Sequence, residues 1–313
     1  MKRKLFALVS MLLVFMLLGA CSTGEVETSG NGDEDTGGSD GAFKIGLSVS
    51  TLNNPFFVTL KEGAEAKAGE LGLEIITVDA QDDPAKQVSD IEDLIQQGVD
   101  ILLINPTDSS SVVAAIESAN EADIPVITLD RSAEGGEVVA HIASDNVAGG
   151  RMAGELIIEQ LGGSGKVVEL EGIPGASAAR ERGQGFNEAV DAADGIEVVA
   201  RQTANFNRAE GLTVMENIIQ STPEFDAVFA HNDEMALGAL EALDAAGMSD
   251  VIVVGFDATD DAVNAVNEGK MFATVAQKPE LIGSIGVETA QKVLNGESVD
   301  EFIPVELELV TQE

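Results

Sequence analysis

Asparagine, aspartate, arginine and glutamine side chains recur directly after short apolar runs along this 313-residue chain. Amides both donate and accept hydrogen bonds, carboxylates only accept them, and guanidinium groups only donate them. A neutral polyol needs that mixture, because each hydroxyl group both donates and accepts, and its C–H faces are covered by apolar rings. The residues with this chemistry are Asn53, Asn54, Asn105, Asp130, Arg131, Arg180, Arg182, Asn205, Asn232, Asp257 and Gln277, with Phe206 beside Asn205.

An aromatic pair, Phe56 and Phe57, stands at a predicted helix start just past the carboxyl end of a predicted strand. Asn54 is suited to cap that helix, and Pro55 at the first helical position gives up a donor that had no partner. Ligands of open α/β sheets bind at this edge. The local sequence favours two core rings. Because adjacent residues of a helix cannot both face one direction, at least one ring can face a cleft.

Other chemistries find little support in the sequence. His141 and His231 stand alone, which favours structural roles. Ser144, close to His141, lacks the G-x-S-x-G turn typical of a nucleophile. The loop at 172–175 lacks the Gly-Lys-Ser/Thr ending of a phosphate-binding loop. The sequence therefore predicts no metal, no cofactor and no catalytic residue.

Short apolar runs alternate with helical segments in a regular order, as is typical of parallel strands joined by crossover helices. The predicted strands span 44–49, 73–78, 101–104, 125–129 and 138–142 in a first series, and 166–170, 196–202, 227–230, 251–255, 273–276 and 305–310 in a second. The predicted helices span 55–71, 84–97, 109–122, 146–161, 176–192, 207–220, 234–246, 260–268 and 279–294. Two such series predict an α/β fold of two doubly wound, parallel-sheet lobes. If the lobes face each other, the polar residues converge on one cleft.

The first 20 residues have the pattern of a signal peptide, with three basic residues at 2–4 and a nearly continuous apolar run at 5–18. The one cysteine of the chain, Cys21, follows the small residues Gly19 and Ala20, an arrangement that resembles the bacterial lipobox. An ordinary secretory signal with a chance cysteine is the alternative. Lipid on Cys21 would anchor the protein to the outer face of the cell membrane, and the acidic, Gly- and Ser-rich residues that follow, up to residue 42, would form a flexible tether.

The chain is strongly acidic, with a formal net charge of −38. Nucleic acid is excluded as a partner, because phosphate binding needs a basic surface. An acidic sugar or a phosphate ester would be repelled. The acidity is consistent with a saline habitat or with solubility alone, and the sequence does not separate these two explanations.

Several stretches resemble the D-ribose-binding proteins of bacterial ABC importers, over residues 45 to 310. They are Ser50-Thr51-Leu52-Asn53-Asn54-Pro55-Phe56-Phe57, Ile104-Asn105-Pro106-Thr107-Asp108, Ile127-Thr128-Leu129-Asp130-Arg131, Ser177-Ala178-Ala179-Arg180-Glu181-Arg182-Gly183, Asn232-Asp233-Glu234-Met235-Ala236-Leu237-Gly238-Ala239-Leu240 and Val254-Gly255-Phe256-Asp257. The resemblance implies a type I periplasmic-binding-protein fold, in which two lobes joined by a three-segment hinge close on a sugar.

Carried over residue by residue, the resemblance also implies the sugar contacts and the lobe boundaries. The implied contacts are Asn54, Phe56, Phe57, Asn105, Asp130, Arg131, Arg182, Phe206, Asn232, Asp257 and Gln277. For Phe206 the alignment crosses a one-residue insertion near residues 194–195. The implied hinges lie near Ser144, Gln277 and Pro304, so that the N-terminal lobe comprises 43–144 plus 278–304, and the C-terminal lobe 145–277 plus 305–313.

Each implied contact has a simpler interpretation when it is taken singly. Arg182 could form a surface salt bridge with Glu181 or Glu188, and Asp257 and Asn232 could be helix caps or turn residues. Together, a run of unrelated caps that matches one binding site is the weaker explanation.

The sequence thus favours a monomeric, lipid-anchored sugar-binding subunit of an ABC importer, for D-ribose, whose permease works with a separate ATPase subunit. The alternative ligands are allose, another pentose or a furanose signal molecule. A sugar-sensing regulator is a rival class, but the basic DNA-binding headpiece of such repressors is absent. A glycosidase is another: Asp130 and Asp257 could act as paired carboxylates, although Arg131 is expected to keep Asp130 ionised.

Overall fold

The computed structural model describes residues 43–312. The predicted signal peptide, Cys21 and the tether lie outside the described residues, which contain two six-stranded sheets. The first sheet has the strand order β11-β5-β4-β3-β1-β2 and is parallel throughout. Its strands are β1 (Lys44–Val49), β2 (Glu74–Asp79), β3 (Ile101–Ile104), β4 (Val126–Leu129), β5 (Ala140–Ser144) and β11 (Phe302–Val305).

The second sheet repeats this plan with the order β12-β10-β9-β8-β6-β7. Its strands are β6 (Gly165–Glu171), β7 (Ile196–Thr203), β8 (Ala227–Ala230), β9 (Ile252–Asp257), β10 (Ala273–Ala276) and β12 (Glu308–Thr311). Only the pairing of β10 with β12 is antiparallel among the described strands. The helices of the described residues are α1 (Pro55–Leu71), α2 (Pro84–Gln96), α3 (Val113–Glu121), α4 (Asn146–Gln160), α5 (Ser177–Asp191), α6 (Arg208–Ser221), α7 (Asp233–Ala245), α8 (Asp260–Asn267) and α9 (Pro279–Leu294).

This architecture confirms the prediction of two doubly wound lobes. The central strands β3, β4 and β8 are buried at every residue, because helices cover both faces of each sheet. Apolar residues of α1, α9 and the first sheet form one core, and residues of α6, α7 and the second sheet form another.

The chain crosses between the sheets three times, between β5 and α4, between β10 and α9, and between β11 and β12. Helix α4 packs on β8, β9 and β10, and α9 packs on β3, β4 and β5, so each helix lies on the sheet that follows the crossing. The use of these crossings as hinges, and the lobe boundaries drawn at them, stay predictions.

Three predicted elements differ from the structure. The predicted strand at 305–310 is two strands, β11 paired with β5 and β12 paired with β10, because the continuous apolar alternation hides a change of sheet. The predicted strand at 138–142 runs two residues later, as β5. The helix predicted from 109 begins at Val113, because Asp108 accepts hydrogen bonds from the N–H groups of Ser110 and Ser111 and holds 109–112 in turns.

Residues 43–312 include no helix that is both long and apolar enough to cross a membrane. The same residues include no group of three or more His, Cys, Asp and Glu side chains arranged to hold a metal ion.

Candidate ligand-binding site

A small cavity lies where the carboxyl ends of the strands of the two sheets meet. Ten of the eleven predicted contact residues line it, and every one of the eleven is at most 9% exposed. The lining residues are Asn54, Phe56, Phe57, Asp130, Arg131, Ala178, Arg182, Phe206, Asn232, Asp257 and Gln277. Since the set includes residues from both sheets, the two lobes build one site.

Two aspartates, one from each sheet, line the cavity. Asp130 directly follows β4, and its Oδ2 lies 3.8 Å from Nε of Arg131. Asp257 ends β9, and its Oδ1 accepts a hydrogen bond of 2.9 Å from Gln277 and lies 3.6 Å from Nη1 of Arg182. Both backbones have positive φ, 62° at Asp130 and 119° at Asp257, which is strained for residues other than glycine. Both residues line the cavity in these backbone conformations.

Burial controls the protonation of both carboxyl groups. It raises the pKa of Asp130 above its ordinary value, although the charges of Arg182 and Arg131 act in the opposite direction. The net shift is upward because burial outweighs these charges, and the ionised state that the sequence predicts for Asp130 stays a prediction. Burial also raises the pKa of Asp257, to about 7, against the charge of Arg182 and the hydrogen bond from Gln277.

The two arginines are held on the cavity wall by main-chain oxygens. Arg131 donates to the carbonyl of Pro106 at 3.1 Å, and Arg182 donates from Nη1 to the carbonyl of His231 at 2.7 Å. Nε of Arg182 donates to Asn146 at 2.9 Å. A buried guanidinium with these partners is no surface salt bridge, so the simpler interpretation of Arg182 is wrong.

Two asparagines combine the cap role with a place in the cavity wall. Oδ1 of Asn54 accepts from the N–H of Phe56 at 2.9 Å, and Oδ1 of Asn232 accepts from the N–H of Met235 at 3.0 Å. Each oxygen is engaged by its helix, so the amide nitrogen is the group each residue can offer to a ligand. In Asn232 that nitrogen also donates to the carbonyl of Phe206 at 3.3 Å. Asp257, in contrast, caps no helix, because Thr259 is the residue before α8.

Asn105 is the predicted contact that lies behind the cavity wall. Its Oδ1 accepts from the N–H of Ser50 at 3.1 Å, and its Nδ2 donates to the carbonyl of Leu129 at 3.0 Å and lies 3.5 Å from Oδ2 of Asp130. The residue is fully buried. Its visible role is to join the carboxyl ends of β1 and β4, the strand that Asp130 follows, and direct contact with a ligand stays a prediction.

Three phenylalanines give the cavity its apolar surface. The rings of Phe56 and Phe57 pack edge to face at 5.1 Å, and both also belong to the core of the first sheet. Arg131 lies between the rings of Phe57 and Phe206, with Cζ 5.0 Å and 5.3 Å from their centres. The local prediction of core rings and the prediction of a cavity wall therefore both describe Phe56 and Phe57.

Three buried polar atoms of the site have no hydrogen-bond partner among the described residues, Oδ1 of Asp130, Nε of Arg131 and Oε1 of Gln277. An unpaired buried polar group costs about 1–3 kcal/mol. The three atoms comprise two acceptors and one donor, the complement of a ligand that both donates and accepts. The hydroxyl groups of a polyhydroxylated molecule meet this requirement, because each can donate and accept.

Sequence reasoning missed Ala178, the second residue of α5, which also lines the cavity. No pattern could have singled it out, because an alanine side chain has no polar group that would indicate a ligand contact. The positive φ of Phe206, 58°, was equally invisible, since the residue is not a glycine.

Known proteins of similar sequence bind small polyhydroxylated molecules. A profile of the periplasmic binding protein domain matches residues 45–298. The ribose import binding protein RbsB of Bacillus subtilis is 54% identical over 97% of this chain and 98% of its own length, and that of Haemophilus influenzae is 58% identical over 86% and 91%. A solved ABC transporter solute binding protein from Bacillus halodurans with bound myo-inositol superposes with a TM-score of 0.83, at 38% identity over 88% of this chain and 96% of its own. The chain belongs to the family of periplasmic binding protein domains.

Proposed function

We propose that this protein binds D-ribose outside the cytoplasm and delivers it to the permease of an ABC importer. The observation that carries the proposal is a buried cavity lined both by phenylalanine rings and by polar atoms without hydrogen-bond partners. These atoms are two acceptors, on Asp130 and Gln277, and one donor, on Arg131. The ribose import binding proteins, 54% and 58% identical to this chain, support ribose as the sugar.

The cavity can satisfy a sugar with hydrogen bonds of defined direction. Asp130 and Asp257 accept from hydroxyl groups, and Arg131 and Arg182 donate to hydroxyl or ring oxygens. Asn54 and Asn232 add amide donors, and Gln277 adds an acceptor. The phenylalanine rings cover the C–H faces of the sugar. These roles are those of a binding protein, and nothing in the arrangement activates a nucleophile or a water molecule, so we infer a transport role without turnover.

Isothermal titration with a panel of monosaccharides tests the proposal. The wild-type protein should bind ribose more tightly than allose, other pentoses and furanoses. Asp130→Ala should raise the Kd for ribose by at least about tenfold, because the sugar loses a buried charged acceptor. Asp194→Ala, at an exposed aspartate between α5 and β7, is the matched control and should leave the Kd unchanged. Tighter binding of another sugar would overturn the assignment to ribose and leave the family intact.

We further infer that the protein is a monomeric lipoprotein, which docks on a permease served by a separate ATPase subunit. The motif at Cys21 supports the lipid anchor, and the absence of a Walker A motif from the sequence supports the separate ATPase. Cys21→Ala should move the protein from the membrane fraction of cells to the soluble fraction. A variant that stays with the membrane would overturn the anchor.

A further inference from the structure

A buried histidine–glutamate pair lies directly behind the cavity and has no part in the ligand contacts described above. Glu169 is on β6, His231 follows β8, and the two residues are 0% and 1% exposed. Nε2 of His231 lies 2.9 Å from Oε1 of Glu169. On the other side of the ring, the main-chain N–H of Gly172 points to Nδ1 at 3.3 Å.

These contacts fix the tautomer of the imidazole. A main-chain N–H can only donate, so Nδ1 of His231 must accept and carries no proton. The ring proton is therefore on Nε2, where it is donated to Glu169. Burial alone would raise the pKa of Glu169, but hydrogen bonds from His231 and Arg201 lower it below its ordinary value, and the carboxylate is an acceptor. Nε of Arg201 lies 2.5 Å from its Oε2.

Residues bonded to His231 contact residues that line the cavity. Gly172 lies against the ring of Phe206 so closely that a Cβ at Gly172 would be 2.1 Å from Cζ of that ring. The carbonyl of His231 accepts the hydrogen bond from Arg182, and the next residue is Asn232. One side chain thus connects the supports of an apolar wall, a guanidinium donor and an amide donor.

We propose that His231, oriented by Glu169, is a positioning residue of the sugar site, which holds the loop under Phe206 and the carbonyl that anchors Arg182. This inference rests on the proposed function. It predicts that the imidazole affects affinity for the sugar without touching it. A pair that only stabilises the core of the lobe would affect the free energy of unfolding and leave the affinity unchanged.

Two substitutions separate these roles. His231→Leu fills the space but removes both hydrogen bonds, and it should raise the Kd for D-ribose by about tenfold, in line with an unpaired buried N–H at Gly172. His231→Gln offers one acceptor and one donor, so it can serve Gly172 and Glu169 together. We expect it to restore the Kd to within about threefold of wild type.

His141→Gln is the matched control. His141 is the other histidine of the chain, lies on β5 and contacts Oγ1 of Thr128 through Nδ1, outside the cavity wall. We expect this variant to bind ribose as the wild type does. Urea unfolding of all three variants gives the stability change separately from the affinity change.

The tautomer itself is tested without any sugar. A two-bond ¹H–¹⁵N correlation spectrum of protein labelled with ¹⁵N-histidine shows which ring nitrogen carries the proton. The chain has two histidines, and the signals that remain in His141→Gln belong to His231. A proton on Nε2 of His231 supports the proposal, and a proton on Nδ1 overturns it even if a variant fails to fold.

The binding results distinguish two failures. Wild-type protein that binds no monosaccharide overturns the proposed function. Wild-type protein that binds ribose, with His231→Leu binding equally tightly, overturns only the positioning role. If the wild type prefers another sugar, the variants are compared with that sugar, and the same two outcomes apply.

Discussion

At the scale of single residues, the helix caps of the site can be separated from its ligand contacts. Asn54→Asp keeps an oxygen for the N–H of Phe56 and replaces the amide donor by an acceptor. We expect the Kd for ribose to rise by at least about tenfold, while the free energy of unfolding falls by no more than about 1 kcal/mol. Titration calorimetry and urea unfolding measure the two quantities.

Asn207→Asp is the control for that substitution. Asn207 caps α6 through the N–H of Glu210 at 3.1 Å, is exposed and lies outside the wall of the ligand cavity. It should change neither quantity appreciably. If Asn54→Asp bound ribose as the wild type does, the amide nitrogen of Asn54 would have no role as a donor.

Because of Asp257, we expect ribose affinity and folding stability to change in opposite directions with pH. Burial raises the pKa of Asp257 to about 7, and Arg182, Asp130, Arg131 and the buried Asp233 are charged or titratable groups that interact with it. Below about pH 7 the group is protonated and loses acceptor capacity, so ribose affinity should fall between about pH 8 and about pH 6. The free folded protein holds this proton more tightly than the unfolded chain, so the contribution of Asp257 to stability should rise as the pH falls through 7 toward about 4.

Asp257→Asn removes the titrating group, and the difference between the two proteins reports on Asp257 together with Asp233, whose pKa the charge of Asp257 raises. The variant should bind more weakly and lack this part of the pH dependence of both affinity and stability. Equal pH profiles of the Kd in wild type and variant would contradict the assignment of an acceptor role to Asp257.

At the scale of elements, glycines set how closely helices approach. Gly63 of α1 faces α9, and a Cβ at this position would lie 2.3 Å from the carbonyl oxygen of Glu280. Gly63→Ala should therefore lower the free energy of unfolding by about 1–3 kcal/mol. Gly69→Ala on the same helix meets nothing within 4 Å and should raise it by up to about 1 kcal/mol. Urea unfolding of the two variants is the measurement, and equal effects would show that helix propensity outweighs the close approach.

The elements also show where sequence reasoning ends. The cap residues Asn54 and Asp83, each followed by a proline, mark the starts of α1 and α2. Apolar runs mark the strands in the same way, because both kinds of signal are local. The division of the last predicted strand into β11 and β12 depends on which distant strand each half pairs with. Likewise, the polar residues after the strands predicted the site, but the burial that raises the pKa of Asp130 appears only when two lobes meet.

At the scale of the whole molecule, the site is sealed by contacts between residues of the two lobes. The N–H of Ser109 donates to the carbonyl of Gly175 at 2.9 Å, and the N–H of Ser132 donates to Oγ of Ser177 at 2.9 Å. With every lining side chain of the predicted set at most 9% exposed, the protein has to move before a sugar can enter. We therefore expect the free protein to populate a more open form, with motion at the three crossings between the sheets.

Small-angle X-ray scattering with and without ribose measures that opening. Ribose should reduce the radius of gyration, because the sugar supplies partners for Asp130, Arg131 and Gln277 only when both lobes contribute their side chains. Asp130→Ala, at a ribose concentration that saturates the wild type but lies below the Kd of the variant, should keep the larger radius. If the wild type bound ribose with no change in radius of gyration, closure of the lobes would not be coupled to binding. The sugar would then have to enter through local movements of side chains at the cavity wall.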